Sequence, residues 1–257
     1  MKTYFSFQNV LGIGLVLMLL FASCQTDEFT EPAVVIEEPT TTETVEETDP
    51  TLRINNSLVF PKTASMFGKS TAGWAIEFGK KVYSLNCETI FIEQMLNLGG
   101  KVVAPFGSSI GNSAVEYTIS QDQHVLLSPA FFFNNYPCPA EYEWEPEEGQ
   151  SLESFLRDYA KGIIDPIEKV EVFIDGTEIE DPMAYRLSTD LFYFKGNPAL
   201  VECYDVCVTG EPQPGLIDGY FMMLKKLKVG RHEVLVRGEI PSQDFVYELN
   251  LVLTVVK

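Results

Sequence analysis

The segment Phe245–Val256 constrains the fold more than any other. Phe245, Tyr247, Leu249, Leu251, Leu253 and Val255 take alternate positions, with Glu248, Asn250 and Thr254 between them. Side chains of a strand point to opposite faces in turn, so this segment buries one face in a core and keeps the other partly wet. Shorter runs at 220–224 and 233–237 have the same extended character, the second led in by Gly230-Arg231-His232. Val170-Glu171-Val172-Phe173-Ile174 runs into Asp175-Gly176 and then Thr177-Glu178-Ile179. An Asp-Gly pair between two extended runs signals a two-residue hairpin. Residues 125–133 are apolar almost throughout, as in a strand covered on both faces, with a bend or end expected near Pro129. Such strands with turn residues between them predict a mainly β body, an antiparallel β-sandwich of Ig-like or jelly-roll kind.

Two short α-helices interrupt this pattern. Ser70 suits an N-cap for a helix over 71–84, on which Trp74, Phe78 and Val82 recur at i+4. Ser151 suits a second N-cap, followed by Glu153 in the first turn and a stripe of Leu152, Phe155, Leu156, Tyr159 and Ile163, with Gly162 as the expected end.

The N-terminus follows different rules. Lys2 is the sole charge before Asp27, and residues 10–22 form an apolar run of 13. A bilayer crossing needs about 20 residues, so the run suits the hydrophobic part of a secretory signal. It ends in Phe21-Ala22-Ser23-Cys24, which resembles the lipobox of bacterial lipoproteins. That resemblance implies a signal peptide over 1–23, cleavage before Cys24, and a diacylglyceryl and a further acyl chain on Cys24 as a membrane anchor. From Gln25 to Pro50 there are nine acids and no base, with seven Thr and three Pro. Such a segment cannot bury enough apolar surface to offset its ordering entropy, so 24–50 reads as an acidic, disordered tether. Acids directly after the lipid-bearing cysteine (Gln25-Thr26-Asp27-Glu28) resemble the export signal of surface lipoproteins in some Gram-negative bacteria. The implied location is the outer membrane, at the cell surface or on its periplasmic face.

The total net charge is −19. Nine of the acids lie in the tether and Lys2 in the leader, so the body 51–257 retains −11 of it. A phosphate backbone attracts Lys and Arg and repels carboxylates, so nucleic acid is excluded as a partner. Two His leave little room for a His-rich metal centre, and no cofactor is expected. With Cys24 lipidated, Cys87, Cys138, Cys203 and Cys207 remain as disulfide candidates. Four thiols in an oxidising compartment predict two bridges, for which three pairings are open. The favoured pairing is a small Cys203–Cys207 clip and a longer Cys87–Cys138 staple.

Several motifs invite a catalytic reading. Gly68-Lys69-Ser70-Thr71 ends like a phosphate loop, but the required upstream glycine is Thr63, so a turn into an N-cap is expected. Gly107-Ser108-Ser109-Ile110-Gly111 fits G-x-S-x-G, yet 115–120 reads as a strand where a nucleophile elbow needs a helix. Paired carboxylates would serve a glycosidase-like hydrolase. Asp175, Glu180, Asp181, Asp190 and Asp218 are the acids available, and Asp175 and Asp218 suit turns before glycine, where a calcium site is a lesser alternative. Tyr136, Tyr142 and Trp144 fall in an irregular, Pro- and Glu-rich stretch that suits either a binding platform for glycan or protein or a loop folded over the core.

Leu224, Leu227, Gly230 and His232 before two terminal strands resemble the end of many extracellular Ig-like domains, here over about 169–257. Together with Gly68-Lys69-Ser70 and Trp74, Asp175-Gly176 and Tyr185-Arg186, and Asp218-Gly219-Tyr220, they resemble a family of secreted β-rich bacterial proteins with no assigned activity. The expected role is a membrane-anchored, non-catalytic binding or structural module for glycan or protein. A hydrolase using two carboxylates is the alternative, and a subunit of a surface complex is a third.

Overall fold

The computed structural model describes residues 58–107 and 114–257. The leader 1–23, Cys24, the tether 24–50 and Ser109 lie outside the described residues. In chain order the described elements are β1 (Ser65–Met66), β2 (Lys69–Ser70), α1 (Thr71–Val82), β3 (Gln94–Gly99), β4 (Val102–Phe106), β5 (Val115–Ser120) and β6 (His124–Asn135). Then come α2 (Leu152–Ile164), β7 (Lys169–Ile174), β8 (Thr177–Glu178), β9 (Arg186–Ser188), β10 (Phe192–Lys195), β11 (Pro212–Met223), β12 (Gly230–Ile240) and β13 (Phe245–Val256).

The body is mainly β, as the alternation requires. One six-stranded sheet runs β10–β11–β6–β4–β3, with β9 also on β11, and a five-stranded sheet runs β5–β13–β12–β7–β8. Val125, Leu127, Tyr220 and Met222 of the first sheet meet Val170, Val172, Val234, Val236, Leu251 and Leu253 of the second in one core. The reverse face of the six-stranded sheet is covered by α1, through Trp74, Phe78 and Val82 against Leu126, Ile217 and Phe221. β6 and β11 are therefore covered on both faces, which is why 125–133 lacks alternation. The strand does not end at Pro129. Tyr220 faces Ala130 and Met222 faces Leu127, so Ser128 and Pro129 together oppose Phe221, a bulge that spares the missing proline N–H from the ladder. Two described pairings, β13–β5 and β4–β6, are parallel within this otherwise antiparallel sandwich. Both bring an early strand alongside a later one without a hairpin between them, and no local turn signal encodes such a partner. Residues 169–257 supply four strands of the five-stranded sheet and also β9, β10 and β11 of the other.

Both helices start where expected. Ser70 Oγ accepts from Gly73 N at 3.1 Å, and Ser151 Oγ accepts from Ser154 N at 3.2 Å. The second helix runs past Gly162 because Ile164 is buried in the sandwich core. Burying one such side chain contributes about 1.5–3 kcal/mol, more than the roughly 1 kcal/mol cost of a helical glycine. Leu156 and Ala160 of α2 sit on Leu216, on the same sheet face that the five-stranded sheet covers further along.

Two Asp-Gly pairs have different fates. Asp175 (φ +52°) and Gly176 (φ +71°) make the β7–β8 hairpin turn, as the sequence implies. Asp218 does not serve a turn: it is buried in the middle of β11 and bonds Arg186. Gly219 is required there by close packing, since a Cβ would sit 2.5 Å from the Phe131 Cα on the neighbouring strand. The disulfide pairing is also corrected. The bridges are Cys87–Cys203 and Cys138–Cys207, in place of Cys203–Cys207 and Cys87–Cys138. The loop 196–211 lies between the segment after α1 and the end of β6. Asp205 fixes it there, accepting from Tyr83 Oη (2.7 Å), Asn135 Nδ2 (2.6 Å) and its own Cys207 N (2.9 Å). Cys203 and Cys207 thus reach in different directions despite their short spacing.

Candidate functional site

The alternation that builds the core also sets what faces outward on the five-stranded sheet. Val234 and Val236 point into the core, so Glu233, Leu235 and Arg237 point out. Ladder pairing puts Leu235 opposite Phe173 on one side and Asn250 on the other, and Glu233 opposite Val252. Arg237 faces Glu171 on β7 and Glu248 on β13. A groove of about 510 Å³ results, with Phe173, Leu235 and Val252 as an apolar strip and Arg231, Glu233, Arg237 and Asn250 around it. Its volume lies within the roughly 300–1,000 Å³ typical of small-molecule sites.

The polar groups of the groove are paired. Arg237 donates through Nε (3.2 Å) and Nη2 (2.7 Å) to Glu248 Oε2, and its Nη1 stands 3.9 Å from Glu171 Oε2. Asn250 Nδ2 donates to the other Glu248 oxygen at 3.2 Å. The Arg237 hydrogen bond, then that of Asn250, holds the Glu248 carboxyl below its ordinary range. Arg231 pairs with Glu233. Glu248, beside the groove, is thus a hydrogen-bond acceptor and not a poised proton donor.

His232 lies between two groove residues, but its ring is fully engaged. Nδ1 meets Asp175 Oδ2 at 2.7 Å and Nε2 meets the Lys228 carbonyl at 2.8 Å, while Asp175 Oδ1 accepts from Glu233 N at 2.9 Å. Both ring nitrogens face acceptors, which favours the imidazolium with two donors. Desolvation lowers the affinity of His232 for its proton, but the bonds to Asp175 and Lys228 outweigh it and raise the pKa. A raised folded pKa contributes stability that is full below the unfolded value, about 6.5, and is lost as pH rises through the folded value. His232→Gln is therefore expected to cost about 1–2 kcal/mol at pH 5.5 and less at pH 9. Urea unfolding of both proteins at the two pH values checks this, and a gap that does not change with pH would refute it.

The other sequence candidates are placed elsewhere. Trp144 packs against Phe155 in a tilted contact and Tyr159 in an edge-on one, each at 4.5 Å, and its Nε1 donates to the Asn135 carbonyl. Tyr136 joins the same cluster beneath the loop, and Tyr142 is exposed, so two of the three aromatics are used in packing. Asp181 caps the short helix Pro182–Tyr185 through Ala184 N at 3.3 Å. Asp218 and Asp165 share Arg186. Among the described residues no cluster of His, Cys, Asp or Glu could hold a metal ion, and no described helix is long and apolar enough to cross a membrane. Sequence reasoning missed the groove, although a signal was present: Phe173, Leu235 and Val252 are apolar at outward positions of strands whose inward positions are already filled.

Against known proteins the chain stands apart: no protein-family model matches it, and neither curated proteins nor solved structures give a match.

Proposed function

We propose that this chain is an exported lipoprotein, anchored to the outer membrane through Cys24, whose β body is a non-catalytic binding module. The observation that carries this reading is the groove on the five-stranded sheet, an apolar strip ringed by hydrogen-bonding side chains on rigid strands. Two disulfides fit an oxidising compartment outside the cytoplasm. The acidic stretch 24–50 would extend by self-repulsion and let the body stand off the membrane, on the outward leaflet if the acids after Cys24 act as an export signal. A hydrolase would need one carboxyl kept protonated facing an ionised one. Beside the groove, Arg237 works against that by holding Glu248 ionised.

The anchor is tested by Cys24→Ala in a bacterial host labelled with palmitate. The wild-type chain is expected in the membrane fraction carrying label, and the variant to lose nearly all label and membrane association. A variant that still takes up palmitate would overturn the assignment of Cys24.

A further inference from the structure

We infer that the groove on the five-stranded sheet takes a short, neutral glycan. This rests on the reading of that face as the binding face, and it adds the chemical class of the ligand. Four observations carry it. The half-buried Phe173 and Leu235, backed by the buried Val252, offer an aromatic ring and an aliphatic side chain to the C–H face of a sugar ring. The groove is ringed by both donors and acceptors: the guanidinium groups of Arg231 and Arg237, the carboxylate of Glu233 and the amide of Asn250. Vicinal hydroxyls, each a donor and an acceptor, match such a mixed set. Each arginine is already neutralised by a carboxylate across or along the sheet, so the groove offers no unbalanced charge to an ion. An anionic polymer would also approach a body carrying −11 of the chain's net charge. Finally, β12 at the centre of the groove is paired with β13 on one side and β7 on the other, so its backbone groups are not free to recruit a peptide as an added strand.

The test uses the full chain extracted from membranes in a detergent that carries no sugar. It is titrated calorimetrically with the hexaoses of maltose, cellulose, chitin, mannan and xylan, and with a polygalacturonate oligomer as the anionic arm. At least one neutral hexaose is expected to bind. Phe173→Ala is expected to weaken it by about ten-fold, the size of losing one stacked ring. Phe173→Leu, which keeps most of the side-chain volume, guards against a loss of folding and is expected to weaken binding similarly with an unchanged unfolding transition. Tight binding of the polygalacturonate that Phe173→Leu abolishes would overturn the neutral class and leave the groove as the site. Hexaose binding that neither variant changes would overturn the groove itself, and no binding by any neutral hexaose would overturn the glycan inference.

Discussion

Removing either disulfide is expected to destabilise the body by about 3–4 kcal/mol, and removing both to leave it largely unfolded at room temperature. The bridges close sequence separations of 116 and 69 residues. In the chain-entropy treatment, whose mechanism is disputed, loops of that length are worth about 4–5 kcal/mol each. The two loops overlap, so their effects are not additive, and the Asp205 contacts to Tyr83 and Asn135 persist when one bridge is lost. A domain typically has about 5–15 kcal/mol in total, so the double loss takes most of it. The measurement is urea unfolding of the Cys87→Ser/Cys203→Ser and Cys138→Ser/Cys207→Ser proteins against wild type. Peptide mapping without reductant must recover Cys87 with Cys203 and Cys138 with Cys207. A Cys203–Cys207 peptide, or a loss below 1 kcal/mol for either pair, would refute this account of the loop.

The second large effect concerns Asp218. Its side chain is 2% exposed, and it receives Arg186 Nε at 3.0 Å and Nη2 at 3.2 Å. Arg186 Nη2 also reaches Asp165, at the end of α2, at 2.6 Å. On the sheet face where Leu216 meets α2 and Tyr220 meets the sandwich core, Asp218 lies between them. The ion triad thus fills the seam where the covering layer changes from sheet to helix. Partial burial disfavours the guanidinium charge, but the bonds from Asp218 and Asp165 outweigh it and raise the Arg186 pKa. Asp218→Ala removes one partner and leaves a half-buried cation, an imbalance worth about 3–5 kcal/mol in buried pairs. About 3 kcal/mol is expected, because Asp165 remains and Arg186 is 28% exposed. The double variant Asp218→Leu/Arg186→Met should lose less than Asp218→Ala, since no uncompensated buried charge remains. Chemical denaturation of the three proteins decides it. Equal losses for single and double variants would show that the cost is packing and not charge.

Legibility followed the range of the physics involved. Ser70 and Ser151 were readable as N-caps because a cap is satisfied within three residues. The Asp175-Gly176 turn was readable because positive φ at two consecutive positions is a local demand. Asp218-Gly219 carries the same dipeptide, but its roles come from Arg186 and Phe131, which are distant in sequence. The groove was half legible. The outward apolar residues Phe173, Leu235 and Val252 break the alternation, but that they lie side by side depends on strand order.

The sequence by itself determined the β character, the two helix starts, the turn at Asp175-Gly176 and the participation of four cysteines in bridges. Each of these rests on periodicity, capping or composition, which act over a few residues or over the whole chain. Only the tertiary structure decided the parallel pairings, the course of β6 past Pro129, the cysteine partners, the burial of Asp218 and the position of the groove. Each of those depends on which distant segments lie adjacent, and adjacency is fixed by the joint packing of two sheets and two helices, which no single segment encodes.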